Sequence, residues 1–212
     1  MTPLAVSPSG RMGFAIAQAA CSRGAQVTVV AGVTTALPPP GVKIVRAQSA
    51  EEMRAVVMKD ISRASVFIAA AAVADYRPLQ RSASKMKKSD ARLVLALQRT
   101  VDILSDVSTS RHDGLLAIGF AAETENIVEH AREKLRNKNL DAVVANDVTR
   151  DGAGFDTPTN AIAIVTRDRE EALELPLMSK LDAAHRILDE IVRLRGTRVD
   201  DTVARAGTAQ GG

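Results

Sequence analysis

The chain has 212 residues, 46% of them hydrophobic and only 2% aromatic, with a formal net charge of +3. That is enough apolar material for one core, built from Ala, Val, Leu and Ile as in helices packed on a parallel sheet. Lys and Arg are interspersed with acids over most of the length. This excludes a dedicated nucleic-acid surface, which needs a concentrated basic stripe and stacking rings, but not a local basic pocket for a phosphorylated small molecule.

Thr2 to Val6 is a short strand candidate, and Ser7-Pro8-Ser9-Gly10 reads as a turn. Met12, Ala15, Ile16, Ala19 and Ala20 recur at helical spacing, which predicts a helix over Arg11 to Arg23 ended by Gly24. Cys21, the single cysteine, lies in this helix and reads as an inert packed thiol; no intrachain disulfide can form. Gln26 to Val30 predicts a buried strand, followed by a proline-rich loop at Pro38 to Pro40. Val42 to Val45 predicts a strand, Ala50 to Ser62 a helix, and the apolar run Val66 to Val73 another strand. Further strands are expected at Leu93 to Leu97, Leu115 to Phe120, Asp141 to Ala145 and Ala161 to Thr166. Helices are expected at Val101 to Thr109, Ile127 to Asn137 and Ser179 to Leu194.

This alternation predicts a doubly wound α/β sheet in a single domain over residues 1–195. Residues 196–212 turn polar and Gly/Ala-rich, so a disordered tail is expected. No stretch approaches the ~18 apolar residues of a membrane span, and no signal-like segment opens the chain. A cytoplasmic protein without a membrane partner is expected.

The richest stretch for chemistry runs from Ala69 to Lys88. Small residues end a strand there, which lets backbone approach a ligand, and Asp75, the only tyrosine and the cluster Lys85, Lys87, Lys88 follow. An acid and three lysines in one loop suit a polyanion: a basic loop closing over a triphosphate supplies charge where pyrophosphate leaves. Taken alone, Asp75 also serves as a turn cap and the lysines as a solvated run. Gly10 and Gly13 open the first helix as a G-x-x-G phosphate loop would, although the same pattern makes a tight strand-to-helix turn. Asp102, in Thr100-Val101-Asp102-Ile103, sits where a helix cap would. Phe120 closes a strand and could stack on a base or pack in the core. Lys134 and Lys138 are one helical turn apart and could grip one phosphate together, or form a solvated face. His112, His130 and His185 match no metal spacing, so no structural zinc is expected. An NAD(P)-dependent short-chain oxidoreductase is the alternative from another class. It lacks an acid after Val29-Val30-Ala31-Gly32-Val33, and Tyr76 has Gln80, not lysine, four residues on.

In order, these segments resemble phosphopantothenate–cysteine ligase, the CTP-using half of the bacterial bifunctional coenzyme A enzyme. The likeness rests on G-R-M-G-F-A-I-A at Gly10 to Ala17, R-G-A-Q-V-T-V-V at Arg23 to Val30, A-A-V-A-D-Y at Ala71 to Tyr76 and K-M-K-K at Lys85 to Lys88. It continues through G-F-A-A-E-T at Gly119 to Thr124, K-x-x-x-K-N-L-D at Lys134 to Asp141 and A-N-D-V at Ala145 to Val148.

The resemblance implies a Rossmann-like, mostly parallel fold that forms a homodimer. It implies that the carboxylate of 4′-phosphopantothenate attacks the α-phosphate of CTP, with Mg²⁺, to give an acyl-cytidylate and pyrophosphate. The amine of L-cysteine then displaces CMP. By position, Ala71 and Asp75 would line the nucleotide site, Thr100, Val101, Asp102, Ile103 and Phe120 would surround the cytidine, and Lys134 and Lys138 would contact the nucleotide. Lys85 would be the loop lysine for acyl-cytidylate formation, and Ala71 and Ala72 would lie near the acyl group. The metal ligands are left unassigned. The flavin-binding decarboxylase half has no counterpart here, so no FMN is expected. The family's N-terminal Asn and Arg fall on Val6 and Thr2, so a truncated ligase, or an impaired homologue acting as a nucleotide-binding or partner subunit, is also an expectation.

Overall fold

A computed structural model describes residues 3–5, 10–71, 73–80, 94–150, 152–153 and 157–208. Its frame is an eight-stranded sheet. One arm of the chain runs β1 (Pro3–Ala5), α1 (Arg11–Ser22), β2 (Thr28–Ala31), β3 (Lys43–Arg46) and α2 (Ala50–Asp60). It then returns to the other side of β1 with β4 (Val66–Ala69) and makes a hairpin, β5 (Tyr76–Pro78) with β6 (Leu97–Arg99). The second arm is α3 (Ile103–Ser110), β7 (Leu116–Glu123), α4 (Ile127–Asn137), β8 (Ala142–Asp147), β9 (Thr159–Thr166), β10 (Leu173–Ser179) and α5 (Lys180–Thr208).

The strand order is β10-β9-β8-β7-β4-β1-β2-β3. From β3 to β8 all pairings are parallel, while β9 and β10 run antiparallel. The chain thus goes one way from β1 to β3 and the other way from β4 to β8. In such sheets ligands bind beyond the strand carboxyl ends, where the direction reverses. The doubly wound sheet expected from the alternation, and the Rossmann-like, mostly parallel fold that the resemblance implies, are the ones found.

Alternation along the strands divides the core in two. Val29, Ile68, Ile118, Val144 and Ile164 meet α1 and α5 through Ile16, Ile187 and Ile191. Val30, Phe67, Ala117, Val143 and Val165 meet α2, α3 and α4 through Met53, Val57, Leu104, Val107 and Leu135. Local signals set the helix ends. Ser49 caps α2 by accepting from the Glu52 N–H at 3.1 Å, while the Glu52 carboxylate accepts from the Gln48 N–H at 2.8 Å. Gly24, at φ 82°, follows α1 as predicted.

Several expectations are corrected. The strand predicted over Val66 to Val73 ends at Ala69, where pairing with β7 stops at Gly119. The strand expected at Leu93 to Leu97 is β6, shifted to Leu97–Arg99 and paired outside the main sheet with the unpredicted β5. β10 was not predicted because Pro176 breaks its alternation; the proline falls at a register shift between Leu175 and Met178, on the sheet edge, where a missing N–H is tolerated. α5 does not end at Leu194. It runs through Gly196 to Thr208, where a disordered tail was expected. One glycine costs a helix about 1 kcal/mol but does not stop it.

Candidate active site

Beyond Ala69 the chain leaves the sheet, and the hairpin folds it back. The Thr100 N–H donates to the Asp75 carbonyl at 2.8 Å, so the entry and exit of the hairpin lie side by side. Arg77 ties the hairpin to α2 through Glu51 at 2.8 Å. The exit runs directly into α3, whose N-cap is Asp102. A cavity opens between this corner, the end of β4, Phe120 of β7 and the last turn of α4.

Its walls hold Ala71, Asp75, Thr100, Val101, Asp102, Ile103, Phe120, Lys134 and Lys138. All nine were singled out from the sequence. Ala69, Val73 and Ala74, from the stretch singled out at Ala69 to Lys88, also line it, whereas the sequence reading missed Met53, Phe67 and Leu104. Nothing local marks a core methionine or leucine as also lining a cavity. Ala72 and Lys85, with Lys87 and Lys88, lie outside the described residues, as do Thr2 and Val6. Gly10 and Gly13 are not brought to this cavity. Gly10 caps α1 at φ 77°, and a Cβ there would stand 2.4 Å from Thr34 Oγ1, so the glycine is explained by a tight turn against the Thr34 to Ala36 loop.

Two lysines and two aspartates supply the charge of the cavity. Lys134 Nζ donates to the Phe120 carbonyl at 2.6 Å. Burial lowers the Lys134 pKa, with help from nearby Lys138 and against Glu123, Asp102 and Asp75. An incoming anion would relieve that penalty. Lys138 Nζ donates to Asp102 Oδ2 at 2.5 Å, while Asp102 Oδ1 accepts the Ser105 N–H at 3.1 Å. Burial works to raise the Asp102 pKa, but its bonds from Lys138 and Ser105 prevail and hold it below the usual value. Thr100 Oγ1 is buried and has no hydrogen-bond partner among the described residues, the state expected of a group whose partner is a ligand or water. His130, set aside as scattered, stands one turn before Lys134 on α4 and pairs with Glu123 at 3.0 Å.

A doubly wound α/β sheet with a cleft beyond the carboxyl ends of its parallel strands, lined by two lysines and two aspartates, is the arrangement in which this class of protein holds its ligands. The chain belongs to the family of the DNA/pantothenate metabolism flavoprotein C-terminal domain, whose model matches residues 4–194. It is 43% identical over 187 residues to the coenzyme A biosynthesis bifunctional protein CoaBC of Bacillus subtilis, covering 88% of this chain and 46% of that protein. Its identity to the protein of that name from Escherichia coli K12 is 40% over 196 residues, covering 91% and 47%. The chain thus spans about half the length of these curated relatives. Among solved structures, the C-terminal domain of CoaBC superimposes with a TM-score of 0.75 at 35% identity, covering 90% of this chain and 93% of that one. Membership bears out the family likeness read from the motifs and sets aside the oxidoreductase alternative.

Proposed function

We propose that the chain is a phosphopantothenate–cysteine ligase, activating 4′-phosphopantothenate with CTP and transferring the acyl group to L-cysteine. One observation carries the reading: Asp75, Thr100 to Ile103, Phe120, Lys134 and Lys138, from four separate stretches of the chain, converge on a single cavity at the strand carboxyl ends. Family membership supports the reaction class.

The residues divide the work by their positions. Lys134 and Lys138 hold positive charge against the phosphates, and the partly desolvated Lys134 gains most from an anion. Phe120 and the Thr100 to Ile103 segment form the walls against the cytidine, with the unpartnered Thr100 hydroxyl available to it. Ala71 leaves room for the acyl group near the α-phosphate, with Ala72 following it in sequence. The carboxylate of phosphopantothenate attacks that phosphorus, the bond to pyrophosphate breaks, and Lys85 stabilises the charge on the departing group. The cysteine amine then forms the amide as CMP leaves, and one proton is lost from the nitrogen.

Among the described residues no group of three or more His, Cys, Asp or Glu could cage a metal. That fits Mg²⁺ arriving with the triphosphate, since Mg²⁺ commonly takes phosphate oxygens, waters and one or two carboxylates. Asp75 is the carboxylate we assign to it, because Asp102 is already bonded to Lys138 and Ser105.

The reading includes a cytoplasmic homodimer. Leu79, Val94, Leu95 and Leu97 on and around the hairpin are exposed apolar groups that a second copy would cover. Among the described residues no helix is long and apolar enough to cross a membrane.

Calorimetric titration with CTP and Mg²⁺ tests the site, and no heat from the unaltered chain would sink the nucleotide reading. With all substrates present, amide product is expected along with pyrophosphate. Pyrophosphate alone would mark a homologue arrested after activation. Lys85→Ala is expected to slow pyrophosphate release, and Asp75→Ala to weaken CTP binding.

A further inference from the structure

Asp102 does more than a cap requires. Capping α3 uses one oxygen, Oδ1, on the Ser105 N–H at 3.1 Å. The other oxygen takes Lys138 Nζ, at 2.5 Å, from the far end of α4, 36 residues along the chain. A helix N-terminal N–H and a lysine ammonium are the two kinds of donor that a phosphate group seeks. Here one carboxylate satisfies both, on the wall of the cavity that Lys134 also lines.

We infer that Asp102 is a tethered anion: its carboxylate occupies the donors an incoming phosphate would use, and so penalises ligands too small to compensate for displacing it. The inference rests on the nucleotide reading of the cavity. A monophosphate reaching Lys138 must displace or crowd Asp102 and leave a half-exposed carboxylate without its cation. A triphosphate spans further, to Lys134, and can share Lys138, whose ammonium has three donors. Asp102 therefore weakens CMP more than CTP. It would keep the cleaved nucleotide from lingering, since the departing monophosphate competes with a carboxylate that is always at hand. The negative charge is maintained at neutral pH, because the bonds from Lys138 and Ser105 outweigh burial.

Asp102→Asn and Asp102→Ser both keep a side chain that caps a helix while removing the charge. Unchanged thermal melts will show that α3 is intact. Calorimetry at one fixed salt concentration then compares CMP, CTP and inorganic tripolyphosphate. Both variants are expected to bind CMP about tenfold more tightly and CTP and tripolyphosphate only about threefold more tightly. In a Lys138→Ala background the gain for CMP should vanish, which a purely structural role for Asp102 would not produce. Unchanged or weaker CMP binding in both variants overturns the inference, as does a gain that survives intact in the Lys138→Ala background. Wild-type protein that binds tripolyphosphate but not CTP would instead sink the nucleotide reading. The tripolyphosphate series would then decide the tethered anion by itself: tightening supports it, and no change overturns it.

Discussion

On the α1/α5 face of the sheet, long cationic side chains are answered from within the chain, while Asn146 Oδ1 is buried without a partner among the described residues. Lys180 is buried, and its Nζ donates to Asn160 Oδ1 at 2.6 Å and to the Thr159 carbonyl at 3.2 Å. Arg23 reaches from the end of α1 to Asp189 at 2.8 Å and to the His185 carbonyl at 2.9 Å on α5. On the α2/α3/α4 face the apolar layer is equally continuous, but its polar groups gather at the strand ends. There Thr100 Oγ1 lacks a partner among the described residues, and Lys134 Nζ donates to a backbone carbonyl. A buried polar group bonded to its neighbours holds a fold together; one left open at a cleft marks where a ligand completes the bonding.

If this contrast is right, changes on the closed face should alter stability and leave affinity alone, and changes at the cleft should do the reverse. The largest effect is expected from Ile187→Ala, which empties a fully buried site between α5 and the sheet. It should cost about 3–4 kcal/mol in urea unfolding, with CTP affinity of the folded protein unchanged. Lys134→Met keeps the apolar stem and removes the charge. CTP affinity should fall some thirty- to hundredfold, about 2–3 kcal/mol, while unfolding moves by less than about 1 kcal/mol. Gly10→Ala should cost about 1–2 kcal/mol, through strain at φ 77° and crowding against Thr34. A loss of CTP affinity in that variant would bring the start of α1 into the site and break the division.

The smallest effect concerns Asp168, which Arg193 holds at 2.5 and 3.1 Å. The Arg193 hydrogen bonds lower its pKa from 3.8 to about 2, against partial burial. A carboxylate so depressed stabilises the fold fully above 3.8 and loses that contribution as pH falls toward about 2. Because the pair is partly exposed, under about 1 kcal/mol is expected. Asp168→Asn should flatten acid unfolding over that window, as followed by circular dichroism.

The order of strands and helices was legible in the sequence because periodicity is local. A run such as Thr28 to Ala31 is apolar on both faces wherever it lies, and Met12, Ile16 and Ala20 form a stripe in any helix. The polar walls of the cavity were legible through the family likeness of their short motifs, whereas Met53, Phe67 and Leu104 were not. Three things were decided only by tertiary structure. Pairing Tyr76 with Arg99 lifts β5 and β6 out of the main sheet and sets Asp75 beside Thr100. Gly10 makes its tight turn against Thr34 and Ala36. The meeting of α3 with α4 brings Lys138 to the Asp102 that caps α3. Each joins residues distant along the chain, and a local pattern of residue types holds no record of which distant donor will satisfy which acceptor.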